Sequence, residues 1–373
     1  MQSFNNNTEA FFALVRAGLW EKDVQLSSYG DIDFKEIYRL AEEQSVVGLV
    51  AAGIEHIVDI KIPKEDALQF VGQSLQLEQQ NAAMNHFIEV IVDKMRAAGI
   101  YTLLVKGQGI AQCYDRPLWR SCGDVDFLLS EENYRKAESF LRPLASRVEE
   151  ENITTRHIAM TIDAWEVELH GSLRGDLWPR LDMGVNAAQD TVFYEGKVRS
   201  WMNGKTQVFL PGANEDLVFV FSHILQHFFK EGIGLRQICD WCRLLWVNKD
   251  MIDSTLLSRR LQAMGVMTEW KAFGAVAVSY LGMPAEAMPF YSENAQWKKK
   301  ADKINRFVLE TGNFGHNRNF GYHKDYTYIK KKAVSFKRHN RDAIRYFQIF
   351  PKDSIVLWFN MIKEGVSYVI KGK

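Results

Sequence analysis

The chain has 373 residues, nearly half of them apolar, and equal numbers of acidic and basic side chains (46 each), so its formal charge is zero. That length suffices for two or three domains around a large core, and neutrality provides no global field to draw the whole protein onto nucleic acid or a membrane. Charge is nevertheless uneven: residues 294–373 carry 18 Lys/Arg against 6 Asp/Glu, which leaves the region before them acidic. No apolar run approaches the ~20 residues needed to cross a bilayer, and Glu9 interrupts the apolar start, so no signal peptide is read there. Four cysteines (Cys113, Cys122, Cys239, Cys242) in a chain this long suit a reducing cytoplasm, the expected location.

In chain order, residues 1–98 read as a helical segment: a Thr8 cap before residues 11–20, a helical pattern over 33–57, and a long amphipathic stretch from about 65 to 98. Residues 99–211 alternate strands and helices. A run of β-formers at 100–105 ends in Lys106-Gly107-Gln108-Gly109, and a helical pattern begins at Ile110. Strand, glycine turn, helix is a geometry that points backbone N–H groups at an anion, and Lys106 would add a point charge.

The next feature is Arg120-Ser121-Cys122-Gly123-Asp124-Val125-Asp126-Phe127. Strand alternation places Asp124 and Asp126 on one face and Val125 and Phe127 on the other. Two carboxylates on one face call for a cation or solvent, and hard divalent ions take such oxygens. Gly123 would let a ligand approach the backbone. Arg120 reads either as a solvated arginine or as a phosphate clamp. Residues 164–171 also alternate: Trp165, Val167 and Leu169 share one face, and Glu166, Glu168 and His170 the other. This is either an edge strand with a wet face or the remainder of a metal site opened by the aspartates.

From 214 onward, within a segment 212–373, the chain is helical again, interrupted by a glycine-, aromatic- and histidine-rich stretch at 311–328. Cys239 and Cys242 fall inside a helical pattern and read as small core residues; their spacing to His223 and His227 fits no zinc motif. The two histidines share a helix face, where they either form a buried cluster with Asp240 or line a cleft. The basic residues Lys330 to Arg345 read as a solvated helix face, with a polyanion or anionic membrane as the other use.

Taken together, Lys106-Gly107, Arg120-x-x-Gly123-Asp124-x-Asp126 and a strand ending Glu168-Leu169-His170 resemble the polymerase-β-type nucleotidyltransferase superfamily. More narrowly they resemble a bacterial family of uncharacterised nucleotidyltransferases, as does a helix bearing His223 and His227 followed by one bearing Arg236 and Asp240. The resemblance covers roughly residues 30–250. It implies an α+β fold: a small mixed-sheet core at 99–211 between helical segments at 1–98 and 212–373. It also implies transfer of a nucleoside monophosphate from an NTP such as ATP, with two Mg²⁺ ions (Mn²⁺ being possible) on Asp124 and Asp126. Glu168 matches the third carboxylate. Lys106-Gly107 stands where the superfamily carries Gly-Ser, so the serine is missing from the phosphate cradle. Lys106, Gly107, Gly109, Arg120 and Gly123 would hold the nucleotide, and His170, His223 and His227 would line its cleft. Within such a family the acidic first three-quarters and the aromatic, histidine-rich cleft favour a small hydroxyl-bearing acceptor over RNA. A catalytically silent nucleotide- or partner-binding protein and a nucleic-acid-binding protein are the competing classes.

Overall fold

The computed structural model describes residues 4–315 and 328–370. The chain opens with α1 (Asn6–Trp20), α2 (Phe34–Glu43), α3 (Val47–Glu55) and the long α4 (Lys64–Ala97). The first helix starts two residues before Thr8. Its cap is Asn5, whose side chain accepts the Thr8 backbone N–H, because a side-chain oxygen at this position satisfies an orphan donor of the first turn. The single helical pattern expected over 33–57 divides at Gln44–Val46, where Ser45 takes φ +56°. There the fully buried Gln44 side chain accepts from the Leu235 backbone N–H and donates to the Val308 carbonyl, tying the break to two distant helices.

Seven strands follow, all between Leu103 and Pro211: β1 (Leu103–Val105), β2 (Asp124–Leu128), β3 (Ala145–Val148), β4 (His157–Ile162), β5 (Trp165–His170), β6 (Val198–Asn203) and β7 (Thr206–Pro211). They form one mixed sheet in the order β3-β4-β5-β2-β1-β7-β6, with β2 parallel to β5, β1 parallel to β7, and the other pairs antiparallel. Helices α5 (Gly107–Ala111), α6 (Glu131–Leu141) and α7 (Pro179–Glu195) interrupt the strands. The fold is therefore α+β, as the resemblance implied.

The two sheet faces differ in kind. Val125, Phe127, Val167 and Leu169 are fully buried in a core shared with Met84, Ile88, Ile91 and Met95 of α4 and with Tyr134, Ala137 and Leu141 of α6. Burying several such side chains, each worth about 1.5–3 kcal/mol, sets which way the strands face. Asp124, Asp126 and Glu168 are thereby turned to the opposite face, toward α8 (Ala213–Lys230) and α9 (Leu235–Val247).

The chain continues with α10 (Ser254–Met264), α11 (Met267–Ser279), α12 (Ala295–Thr311), α13 (Tyr328–Phe347) and α14 (Pro351–Ile370). Helices before and after the sheet share one core, which includes Phe11 and Leu14 of α1, Phe221 and Phe228 of α8, Trp241 of α9, and Trp270 and Phe273 of α11. Among the described residues no helix is long and apolar enough to cross a membrane. Most of the glycine- and histidine-rich stretch, and the side chains of Lys330, Lys331, Lys332 and Arg338, lie outside the described residues.

Candidate active site

The parallel register of β2 and β5 sets Asp124 beside Glu166 and Asp126 beside Glu168. Carboxylate oxygens of Asp124, Asp126 and Glu168 all lie within 4.8 Å of one another. Crowded charge of one sign shows in their protonation. The Asp124 carboxyl is pushed up, first by the Asp126 charge and then by burial. Glu168 goes the other way: burial opposes its charge, but hydrogen bonds from His157 and His170 outweigh burial and hold it well below the usual carboxylate range. Glu166 is exposed and does not line the site.

Three bases complete the cluster. Lys106 Nζ donates to Asp126 Oδ1 at 2.9 Å. Burial works against the ammonium, yet the charges of Asp126, Glu168 and Asp124 prevail and raise its pKa. His170 Nε2 lies 2.8 Å from the same Asp126 oxygen and 3.2 Å from Glu168 Oε2. Burial and Lys106 oppose its protonation, and the two carboxylates overcome them, so its pKa rises. His157 Nε2 approaches Glu168 Oε2 at 3.1 Å.

The turn that delivers Lys106 is strained. Lys106 adopts φ +56° and ψ −144°, and Gly107 follows at φ +36°. A side chain at Gly107 would meet Cys122 Sγ at 3.2 Å in addition to that backbone penalty. A non-glycine residue at positive φ costs about 1–3 kcal/mol, and such strain collects where function requires a side chain to be aimed.

Opposite the carboxylates stand α8 and α9. Between these walls lies a cavity of about 460 Å³ lined by Lys106, Gly107, Asp124, Asp126, Glu168 and His170 from the sheet side and His223, His227 and Arg236 from the helices. His223 and His227 face each other with Nε2 atoms 2.8 Å apart. Burial, reinforced by Lys106 and His227, drives the His223 imidazole well toward its neutral form. Arg236 donates to the Ser121 carbonyl at 3.0 Å, and its pKa is lowered by burial and then by the nearby Arg120 charge.

Several sequence expectations need correction. Arg120 lines the cavity, but Asp240 occupies its fork of donors: Nε to Oδ1 at 3.0 Å and Nη2 to Oδ2 at 2.7 Å, with both side chains buried. Asp240 also accepts from the Tyr114 hydroxyl, at 2.8 Å, and therefore belongs to this arginine pair and not to a cluster with His223 and His227. Gly109 is absent from the cavity wall; a Cβ there would lie 2.9 Å from Leu210, so this glycine serves helix-on-sheet packing. Gly123 is exposed, and a Cβ there would meet nothing within 4 Å. Cys239 and Cys242 are fully buried free thiols, in line with a core role.

His157 is the member of the cluster that the sequence reading missed. The signal was available: β4 and β5 are joined by the two-residue turn Asp163-Ala164, and counting outward from it pairs His157 with His170.

The donor set suits a hard divalent cation. Three carboxylates converge, and the upward shift of Asp124 marks a negative surplus that a cation would relieve. No curated protein and no solved structure matches the chain. A family model described as uncharacterised nucleotidyltransferase matches residues 30–282, which take in the whole sheet and the helices facing it. The chain belongs to this family of uncharacterised nucleotidyltransferases, and is by that membership a transferase of nucleotidyl groups.

Proposed function

We propose that the protein is a polymerase-β-type enzyme that moves a nucleoside monophosphate from an NTP to a hydroxyl of a small acceptor and releases pyrophosphate. The observation that carries this reading is the convergence of Asp124, Asp126 and Glu168 within 4.8 Å, beside Lys106, on the wall of a cleft between the sheet and two helices. Asp124, Asp126 and Glu168 would hold Mg²⁺ or Mn²⁺. When bound, such ions would offset phosphate charge and make the acceptor hydroxyl easier to deprotonate.

The remaining roles fall to the chain. Lys106 and Arg236 neutralise phosphate charge from opposite walls, and Gly107 lets the phosphates approach the turn. Arg236 takes the part first assigned to Arg120, because Asp240 occupies the Arg120 fork. The acceptor oxygen bonds to the α-phosphorus as the bridge to the β-phosphate breaks, and the hydroxyl proton must leave. Glu168, held strongly ionised, is a poor base and suits the ligand role. His223 lines the facing wall as a neutral group, but the burial that keeps it neutral makes it a weak base as well, so the proton is released to solvent. A cavity of about 460 Å³ is in the range of small-molecule sites, which supports a compact polar acceptor.

One observation favours a second reading. Lys106 and His170 already satisfy Asp126 without any ion, as a nucleotide-binding protein that has lost catalysis would require. Retention of each labelled NTP by the protein with Mg²⁺ separates the cases. The transferase reading expects retention that Asp124→Asn abolishes; retention unaffected by that change places the nucleotide elsewhere. Retention without any need for Mg²⁺ or Mn²⁺ favours the silent binder. An activity screen with α-labelled NTPs against pooled small molecules, tRNA and the protein itself then identifies the acceptor, and label found only on RNA or on the protein would overturn the small-molecule choice.

A further inference from the structure

We infer that the protein carries a second metal site, for a borderline divalent ion of the zinc class, built from His157, Glu168 and His170. One ligand atom from each of the three lies within 4.8 Å of the others. The detail is more specific than that distance. The Nε2 atoms of His157 and His170 both converge on a single oxygen, Glu168 Oε2, at 3.1 and 3.2 Å. Ligand bonds of about 2.0–2.1 Å in a tetrahedral shell put neighbouring donors a little over 3 Å apart, so little movement separates this arrangement from a bound ion.

Strand pairing produces the geometry. His157 and His170 are direct partners across β4 and β5, with ring centroids 4.8 Å apart. Glu168 is two residues along β5 on the same face, and its cross-strand partner is the small Ala159. His157 is fixed at its backbone, since its N–H and C=O both bond to Asn152. All three side chains line the cavity, so an ion has a path in. Two imidazoles and a carboxylate select Zn²⁺ or Co²⁺ over Mg²⁺, which prefers an all-oxygen shell.

Its nitrogen donors set the site apart from the Asp124/Asp126/Glu168 oxygen cluster, and two residues join them: Glu168, and His170, whose Nε2 also lies 2.8 Å from Asp126 Oδ1. It does not depend on nucleotide transfer being correct. The test uses the full-length protein, stripped with chelator and held in excess Mg²⁺ without nucleotide. Zn²⁺ is titrated calorimetrically and Co²⁺ by visible absorption. One equivalent should bind, with the intense cobalt band of a four-coordinate site. His157→Ala should weaken Zn²⁺ binding at least about a hundredfold and remove the band. Its side chain is one-third exposed, so the fold should hold, and an unchanged thermal midpoint of the chelated protein checks this. Asp124→Asn should leave the Zn²⁺ affinity within a few-fold. Equal affinity in His157→Ala, displacement of Zn²⁺ by Mg²⁺, or loss of binding in Asp124→Asn would each overturn the inference. Nucleotide retention is read separately, so failure of the transferase reading leaves this result legible.

Discussion

Replacing Arg120 by alanine tests whether that residue belongs to the scaffold or to the nucleotide. Its guanidinium makes two charge-assisted bonds to Asp240, at 3.0 and 2.7 Å, and the two side chains are only 4% and 6% exposed. It thereby joins the segment before β2 to α9, and its removal leaves the Asp240 carboxylate buried with the Tyr114 hydroxyl as remaining donor. Breaking one half of a buried pair costs about 3–5 kcal/mol, because the charge left behind has lost both water and partner. Arg236 acts electrostatically on Asp240 and would recover part of that, so a loss near the lower end, about 3 kcal/mol, is expected. Urea denaturation followed by tryptophan fluorescence and far-ultraviolet circular dichroism measures it. Replacing both partners by apolar residues, Arg120→Met with Asp240→Leu, should be less damaging than Arg120→Ala alone, since no buried charge is orphaned. A loss below about 1 kcal/mol would refute this reasoning. If stability were unchanged while nucleotide retention vanished, Arg120 would be a phosphate clamp after all.

Asp124→Asn should stabilise the metal-free protein by about 0.5–2 kcal/mol at neutral pH while abolishing nucleotide retention, the trade expected where function crowds like charges. The sign follows from its raised pKa: the folded state holds that proton more tightly, so stability falls as pH rises above the ordinary aspartate range, and asparagine removes this slope. A destabilised variant by denaturant midpoint would contradict it. His170 also has a raised pKa, so its contribution is complete below the ordinary histidine range and is lost as pH climbs through its folded value. Midpoints measured from pH 6 to 9 should decline in the native chain and decline less in His170→Gln. All four cysteines are buried, and burial pushes the Cys113 thiol up to about 11. A thiol reagent should therefore label none of them until the chain unfolds, and rapid labelling of native Cys239 or Cys242 would point to redox chemistry. Glu168→Gln should reduce nucleotidyl transfer by about 10²-fold or more with a small change in stability, measured as kcat/KM once an acceptor is found.

Much of this molecule is already written in local sequence. Alternation along 124–128 and 165–170 was enough to put Asp124, Asp126, Glu166 and Glu168 on one side and Val125, Phe127, Val167 and Leu169 on the other, because a strand with one apolar face can bury it in only one orientation. Lys106-Gly107 before a helical pattern identified the turn that delivers the ammonium. Tertiary structure decided what pairs over long distances. Asp240 lies 120 residues from Arg120, and no periodicity could reveal that it would occupy a guanidinium expected to hold phosphate. Gly109 packs against Leu210 of β7, a strand about a hundred residues away, whereas Gly107 takes φ +36° and lines the cavity. Local pattern reports which face a side chain takes, since that follows from backbone geometry alone. What stands across from that face, and so whether a charge is free to act, depends on contacts made only when the whole chain has closed on itself.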